Sequence, residues 1–200
     1  MDSVRRGVVY ALFIGFGVLP QGGKATGKED KEAGAVVVAS ASAPPAIAAD
    51  FQWSDHRQLS WDDFRGPVSA VTDASAAATN CGLGFRTQTD TSGNLSVVVY
   101  NKFYASKSWV KPDAHIASIL VHEQGHFDLC ELYTRKLRQQ MALVDMGSDD
   151  LEKQLIETYN AVNAEHEAAQ QRYEAETIHG TNEVSQAHWT NYLTTQLDAM

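Results

Sequence analysis

The stretch Val121-His122-Glu123-Gln124-Gly125-His126-Phe127 constrains this chain more than any other. It reads H-E-x-x-H within an amphipathic helical pattern. Positions four apart on a helix lie one turn above each other on the same face. His122 and His126 can therefore turn two imidazoles toward one metal ion, with the Glu123 carboxylate beside them. This is the zinc-peptidase arrangement: two neutral imidazoles hold Zn2+, and the glutamate acts as general base toward a zinc-activated water. The competing reading is a surface helix with two unrelated histidines. It is disfavoured because the motif contains no proline and because further ligand candidates follow downstream.

Two histidines do not make a catalytic zinc site, which uses three protein ligands and leaves a position for water. A metzincin would place glycine and histidine at the positions of Leu129 and Leu132, so that class is excluded. Cys130 lies four residues past His126, and three rungs of one straight helix do not converge on one ion. The third ligand is thus expected later in the chain. His179 is the first choice, because it precedes Gly180 off the end of a helix, where the backbone can turn it. Glu176 is the alternative and would give a two-histidine, one-glutamate site. His166 lies on an apolar helical stripe, where a histidine is usually a satisfied core residue. If His179 ligates, Glu176 can accept the free N–H of a histidine ligand. Tyr173 can then act as a catalytic donor to the oxyanion of a tetrahedral intermediate.

The chain begins with Arg5 and Arg6 ahead of an apolar run from Gly7 to Leu19, stopped by Pro20. Basic residues before a short apolar core describe an export signal. The run is short for a spanning helix, which needs roughly 20 apolar residues. Ala39-Ser40-Ala41 and Ala46-Ile47-Ala48-Ala49 are candidate cleavage regions, and the alternative is an uncleaved anchor tethering the protein to the inner membrane. Residues 1–20 are therefore expected to be a signal peptide or membrane anchor. Residues 21–50, rich in Gly, Ala, Ser, Lys and Pro, are expected to be a disordered linker. Residues 51–200 are expected to form the folded domain, placed in the periplasm or secreted. The first fifty residues are balanced in charge, so the net charge of -9 belongs to the rest. An acidic surface argues against nucleic-acid binding. An exported chain meets an oxidising compartment, where Cys81 and Cys130 can bridge; the alternative is two buried thiols.

Within the folded part, Trp61 and Phe64 are spaced to pack on a short helical turn ended by Gly66-Pro67. Ala74 to Thr89 and Leu95 to Tyr104 flank the turn cluster Asp90-Thr91-Ser92-Gly93-Asn94 and read as a β-hairpin. Pro112 and Asp113 are expected to start a helix running to about Asp145, with Gly147 as its stop signal. Ser148 is the expected N-cap of a second long helix to about Glu174, and a short amphipathic helix ends the chain. The fold class is α+β: a small antiparallel sheet or hairpin on two long helices plus a short C-terminal helix.

The chain resembles the bacterial domain of unknown function 922 family, described as secreted zinc-dependent proteases. The resemblance rests on Leu59-Ser60-Trp61-Asp62-Asp63-Phe64-Arg65-Gly66, Ser108-Trp109-Val110 and His122-Glu123-Gln124-Gly125-His126-Phe127-Asp128. It also rests on Tyr173 to Gly180 with Gln186 and Trp189, and covers most of Phe51 to Leu197. It implies a zincin-like fold, export, and His122, Glu123 and His126 at the site. The function expected is a zinc metallopeptidase of the cell envelope acting on a peptide or protein substrate. An extended substrate is expected beside the Leu95–Tyr104 strand. The alternatives are a non-catalytic zinc-binding envelope protein and an amidase acting on cell-wall peptides.

Overall fold

The computed structural model describes residues 9–11, 50–54, 57–68 and 75–200. The expected linker, apart from Asp50, and all of the expected signal segment except residues 9–11 lie outside the described residues. The architecture is α+β, with a small antiparallel sheet and three helices.

The expected hairpin is present. β3 (Cys81–Thr89) and β4 (Leu95–Phe103) pair antiparallel, from Cys81 opposite Phe103 to Thr89 opposite Leu95. The connecting turn is closed by Asp90, whose carboxylate accepts from the backbone N–H groups of Ser92 and Asn94. This side-chain mimicry of a backbone turn is why aspartate recurs at such corners. β1 (Val9–Ala11) adds to the free edge of β3, with Val9 opposite Arg86. A separate two-stranded pair joins β2 (Ala77–Ala78) to β5 (Trp109–Val110).

α1 (Ala117–Met141) lies between two apolar clusters. On one side Phe127 and Leu137 meet Leu83, Phe85 and Phe103 of the hairpin and Leu155, Tyr159 and Val162 of α2 (Leu151–Thr177). On the other side Leu129 and Leu132 meet Ala169 and Tyr173 of α2 and Trp189, Leu193 and Leu197 of α3 (Glu183–Ala199). The segment before the sheet closes the first cluster. A single 3-10 turn, Trp61–Asp63, sets Trp61 against Phe64 with ring centroids 5.1 Å apart, as their spacing suggests. Gln124 and Asp128 of α1 hold this segment: Gln124 Oε1 accepts from Leu59 N, and Asp128 accepts from Trp53 Nε1 and Gln124 Nε2.

The helix ends differ from the expected ones. α1 starts at Ala117 rather than Pro112, because Ala114 N and Ile116 N bond to Lys111 O and Ala114 O in a tight turn of their own. It stops at Met141, after which Val144 turns back onto the core and Asp145 caps Gly147 N. α2 continues to Thr177, beyond Glu174. Thr177 Oγ1 bonds back to Tyr173 O, and Ile178 in the left-handed region closes the last turn onto Glu174 O. Cys81 and Cys130 are free, buried thiols. Burial pushes the Cys130 thiol up, and Cys81 Sγ lies 3.7 Å from His126 O. No helix among the described residues is long and apolar enough to cross a membrane.

Candidate metal centre

The H-E-x-x-H turn sits in the buried middle of α1. His122 is 3% exposed, Glu123 3% and His126 5%. The two rings stand nearly perpendicular, and their Nε2 atoms face each other at 3.2 Å. Each Nδ1 is turned away onto a glutamine oxygen: His126 onto Gln170 Oε1 at 2.6 Å and His122 onto Gln186 Oε1 at 3.1 Å. An amide oxygen only accepts, so each Nδ1 carries a hydrogen, and in the neutral ring Nε2 presents the lone pair.

The third group at this point is Glu174. Its Oε2 lies 3.2 Å from His122 Nε2, and its Oε1 lies 3.5 Å from His126 Nε2. His122, His126 and Glu174 are the described residues whose ligand atoms, all within 4.8 Å of one another, can hold a metal ion. The electrostatics agree with the geometry. Burial raises the Glu174 carboxyl, but the two imidazoles outweigh it and hold the group well below the usual carboxylate range. Burial pulls His126 down, but Glu174 and the charge of Glu123 outweigh it and raise the ring to about 9. This is a site in which negative charge calls for a cation.

His179 and Glu176 are not among the converging groups. His179 is exposed, and its Nδ1 touches Glu174 Oε2 at 3.0 Å, outside the cluster. Its left-handed backbone, φ 54, turns it onto the carboxylate rather than onto the two histidines. Glu176 is two residues past Glu174, which on a helix is the opposite face. Its Oε2 accepts from Trp189 Nε1 at 2.7 Å, and its Oε1 lies 3.7 Å from Arg172. Tyr173 is near the site in another role. It is fully buried, stacked on the His122 ring at 4.8 Å, and its hydroxyl donates to His122 O at 2.9 Å. Burial pushes its hydroxyl well above the usual tyrosine range. The hydroxyl supports the metal-site helix from behind and has no free donor for an oxyanion.

Sequence reading assigns no role to Glu174, Gln170 or Gln186; Glu174 and Gln186 enter it only within the family resemblance. Ending α2 at Glu174 made that residue a helix terminus. With the helix extended to Thr177, His166, Gln170, Tyr173, Glu174 and Thr177 form one polar stripe at helical spacing facing α1. That periodicity was visible among the polar residues, but the apolar stripe was the one followed. The strand nearest the motif also differs from expectation. Thr79 Oγ1 donates to Glu123 O at 3.1 Å and Cys81 Sγ reaches His126 O, so residues 79–81 lie along the H-E-x-x-H turn. β4 instead meets α1 further on, through Asn101 and Glu131.

Two glycines let these parts meet. A Cβ on Gly125 would lie 2.2 Å from Tyr173 Oη, and one on Gly180 would lie 2.7 Å from His122 Cβ. The backbone of Gly180 is also left-handed, φ 77.

Residues 56–180 match the family model for a bacterial protein of unknown function, DUF922. The chain belongs to this family. The match contains the H-E-x-x-H turn and Glu174 and ends before α3, so Gln186 lies beyond it. No curated protein and no solved structure matches the chain.

Two outcomes follow from this packing. Gly125→Ala gains helix propensity of about 1 kcal/mol but forces a methyl group into a fully buried phenol. It is expected to lose about 1–3 kcal/mol net in urea denaturation, as overpacked cores do; a gain in stability would contradict the close approach. His166 is 1% exposed, and its Nε2 lies 3.0 Å from Gln170 Nε2. Burial, with help from the charge of His126, lowers its pKa from 6.5 to about 4. The unfolded chain then takes up this proton first as pH falls, so the ring costs no stability above pH 6.5 and progressively more down to about 4. Denaturation midpoints at pH 7 and pH 5 are expected to fall less for His166→Gln than for the wild type.

Proposed function

We propose that this protein is a zinc-dependent hydrolase of peptide bonds, with His122, His126 and Glu174 as ligands and Glu123 as general base. The observation that carries the reading is the convergence of two histidine Nε2 atoms and one carboxylate beside a buried glutamate. Tetrahedral zinc, with Zn–N of about 2.0–2.1 Å, keeps its ligand atoms about 3.3 Å apart. The corresponding separations here are 3.2, 3.2 and 3.5 Å. Glu174 Oε2 lies 3.2 Å from His122 Nε2 yet makes no aligned hydrogen bond, as a lone pair aimed at a shared centre would. A donor set of two imidazoles and a carboxylate is that of catalytic zinc in two-histidine, one-glutamate peptidases. The zincin likeness of the fold belongs to this same proposal.

A zinc ion in this place supplies Lewis acidity toward a carbonyl and a water. The chain supplies the rest. Glu123 Oε2 is buried and has no hydrogen-bond partner among the described residues. It takes the proton of the attacking water and returns it to the departing amine. Thr79, donating to Glu123 O, fixes the backbone that carries this carboxylate. Tyr173 and Gln170 hold the carbonyls of His122 and His126 from the opposite side.

A second reading, a zinc site without turnover, has the burial of Glu123 on its side. Glu123→Gln separates the two. On the hydrolase reading it keeps stoichiometric zinc and loses at least about 100-fold in cleavage of a peptide library, in line with removal of a general base. Equal cleavage by the variant would exclude Glu123 as base. Absence of cleavage in the wild type, with zinc bound, would leave the non-catalytic site. Metal analysis assigns the ligands: Glu174→Ala is expected to lose zinc, while His179→Ala and Glu176→Ala retain it.

A further inference from the structure

The geometry points to Gln170 and Gln186 as positioning residues that lock the two histidines with Nε2 toward the metal, each amide being tied to the backbone carbonyl of the histidine it orients, Gln170 directly and Gln186 through Tyr173. This rests on the proposed zinc site and extends it to residues outside the ligand set.

The two clamps are built alike. Gln170 Oε1 receives the His126 Nδ1–H, while its Nε2 donates to His126 O at 2.9 Å. Gln186 Oε1 receives the His122 Nδ1–H, while its Nε2 donates to Tyr173 Oη at 2.8 Å, and that hydroxyl donates to His122 O. Each histidine is thus held at ring and backbone by one amide, directly in one case and through a phenol in the other. The closed loop at His126 also fixes which way the Gln170 amide faces. A backbone carbonyl only accepts, so flipping Gln170 would set two oxygens against each other at His126 O and two hydrogens against each other at the ring. Gln186 is held at both amide atoms, its Nε2 donating to Tyr173 Oη at 2.8 Å and its Oε1 lying 3.1 Å from both Tyr173 Oη and His122 Nδ1.

The choice of amide has a physical reason. Metal-bound histidines often donate to carboxylates. Here Glu123 and Glu174 already place two carboxylates in a site whose histidines are 3% and 5% exposed. Two more would bring uncompensated negative charge into a poorly solvated place, which is costly. A carboxylate also cannot donate, so His126 O, Tyr173 Oη and His166 Nε2 would each face a lone pair. Glutamine supplies acceptor and donor from one neutral group. It also cannot take the Nδ1 proton, so the tautomer does not depend on a second titration.

The test uses the full chain and two readouts. Long-range 1H–15N correlation on metal-free wild type is expected to show Nδ1–H tautomers for any neutral fraction of His122 and His126. Zn2+ affinity, measured by competition with a chromophoric chelator, is expected to fall about 10–100-fold in Gln170→Met and in Gln186→Met. Methionine keeps the length and packing and removes the hydrogen bonds. Gln170→Glu, which keeps the acceptor, is expected to retain the Nδ1–H tautomer and more of the affinity than Gln170→Met. Nε2–H tautomers in the wild type overturn the inference, whatever the metal does. So do folded methionine variants that bind Zn2+ as tightly as the wild type. A wild type that takes up no Zn2+ but shows Nδ1–H tautomers overturns the proposed function and leaves the clamps standing. If either methionine variant fails to fold, the wild-type tautomers and the ordering of the remaining variants decide.

Discussion

Two imidazole nitrogens facing each other at 3.2 Å, each with a lone pair toward the other, are not a stable arrangement by themselves. Something positive has to stand between or beside them. Without a metal ion that is a proton on His126, whose ring Glu174 and the charge of Glu123 hold at about 9 although it is buried. With a divalent cation it is the ion, and the proton leaves. Most of the structure near the middle of α1 follows from keeping this repulsive pair in place. The rings are stacked on Tyr173, their outer nitrogens are committed to amides, and a carboxylate lies across the gap.

The price is a polar seam through an otherwise apolar packing. The stripe from His166 to Thr177 on α2 puts histidine, glutamine, glutamate and threonine where Leu, Val and Tyr occupy the neighbouring turns. Each of these groups is costly to bury unless it is bonded. Gln170 and Tyr173 bond to carbonyls of α1, so the two long helices are joined by hydrogen bonds as well as by side-chain volume. The apolar clusters on the two faces of α1 carry the bulk of the burial, and the polar seam sets the register in which α1 and α2 meet.

This division explains what could be read in the sequence. The H-E-x-x-H turn was legible because its spacing is a property of one helix, and the hairpin because its turn chemistry is local. The Trp61–Phe64 pairing was legible for the same reason. The approach of Glu174 to the two histidines was not, because it depends on where α2 ends. Thr177 and the left-handed Ile178 prolong that helix by almost a turn through a side-chain bond and a backbone conformation that composition does not reveal. His179 and Glu176 looked better placed only on the shorter helix. The tyrosine could be placed near the site, but its role could not: a phenol beside zinc looks like a catalytic donor until its hydroxyl is found spent on a carbonyl. Gln186 was noted as part of a family resemblance, yet nothing local to α3 says that it reaches α1.

Between α2 and α3, Ile178, His179 and Gly180 are three successive residues with positive φ. Such a corner is wound against the preference of L-amino acids and persists only where its surroundings hold it. One of its supports is the close seat of Gly180 against the Cβ of His122, and another is the contact of His179 with Glu174. The connection therefore leans on two of the groups that would grip the ion. Thermodynamic reciprocity then makes the corner a gauge as well as a brace: occupancy that steadies the ligands must steady the bend, and slack in the bend must loosen the grip.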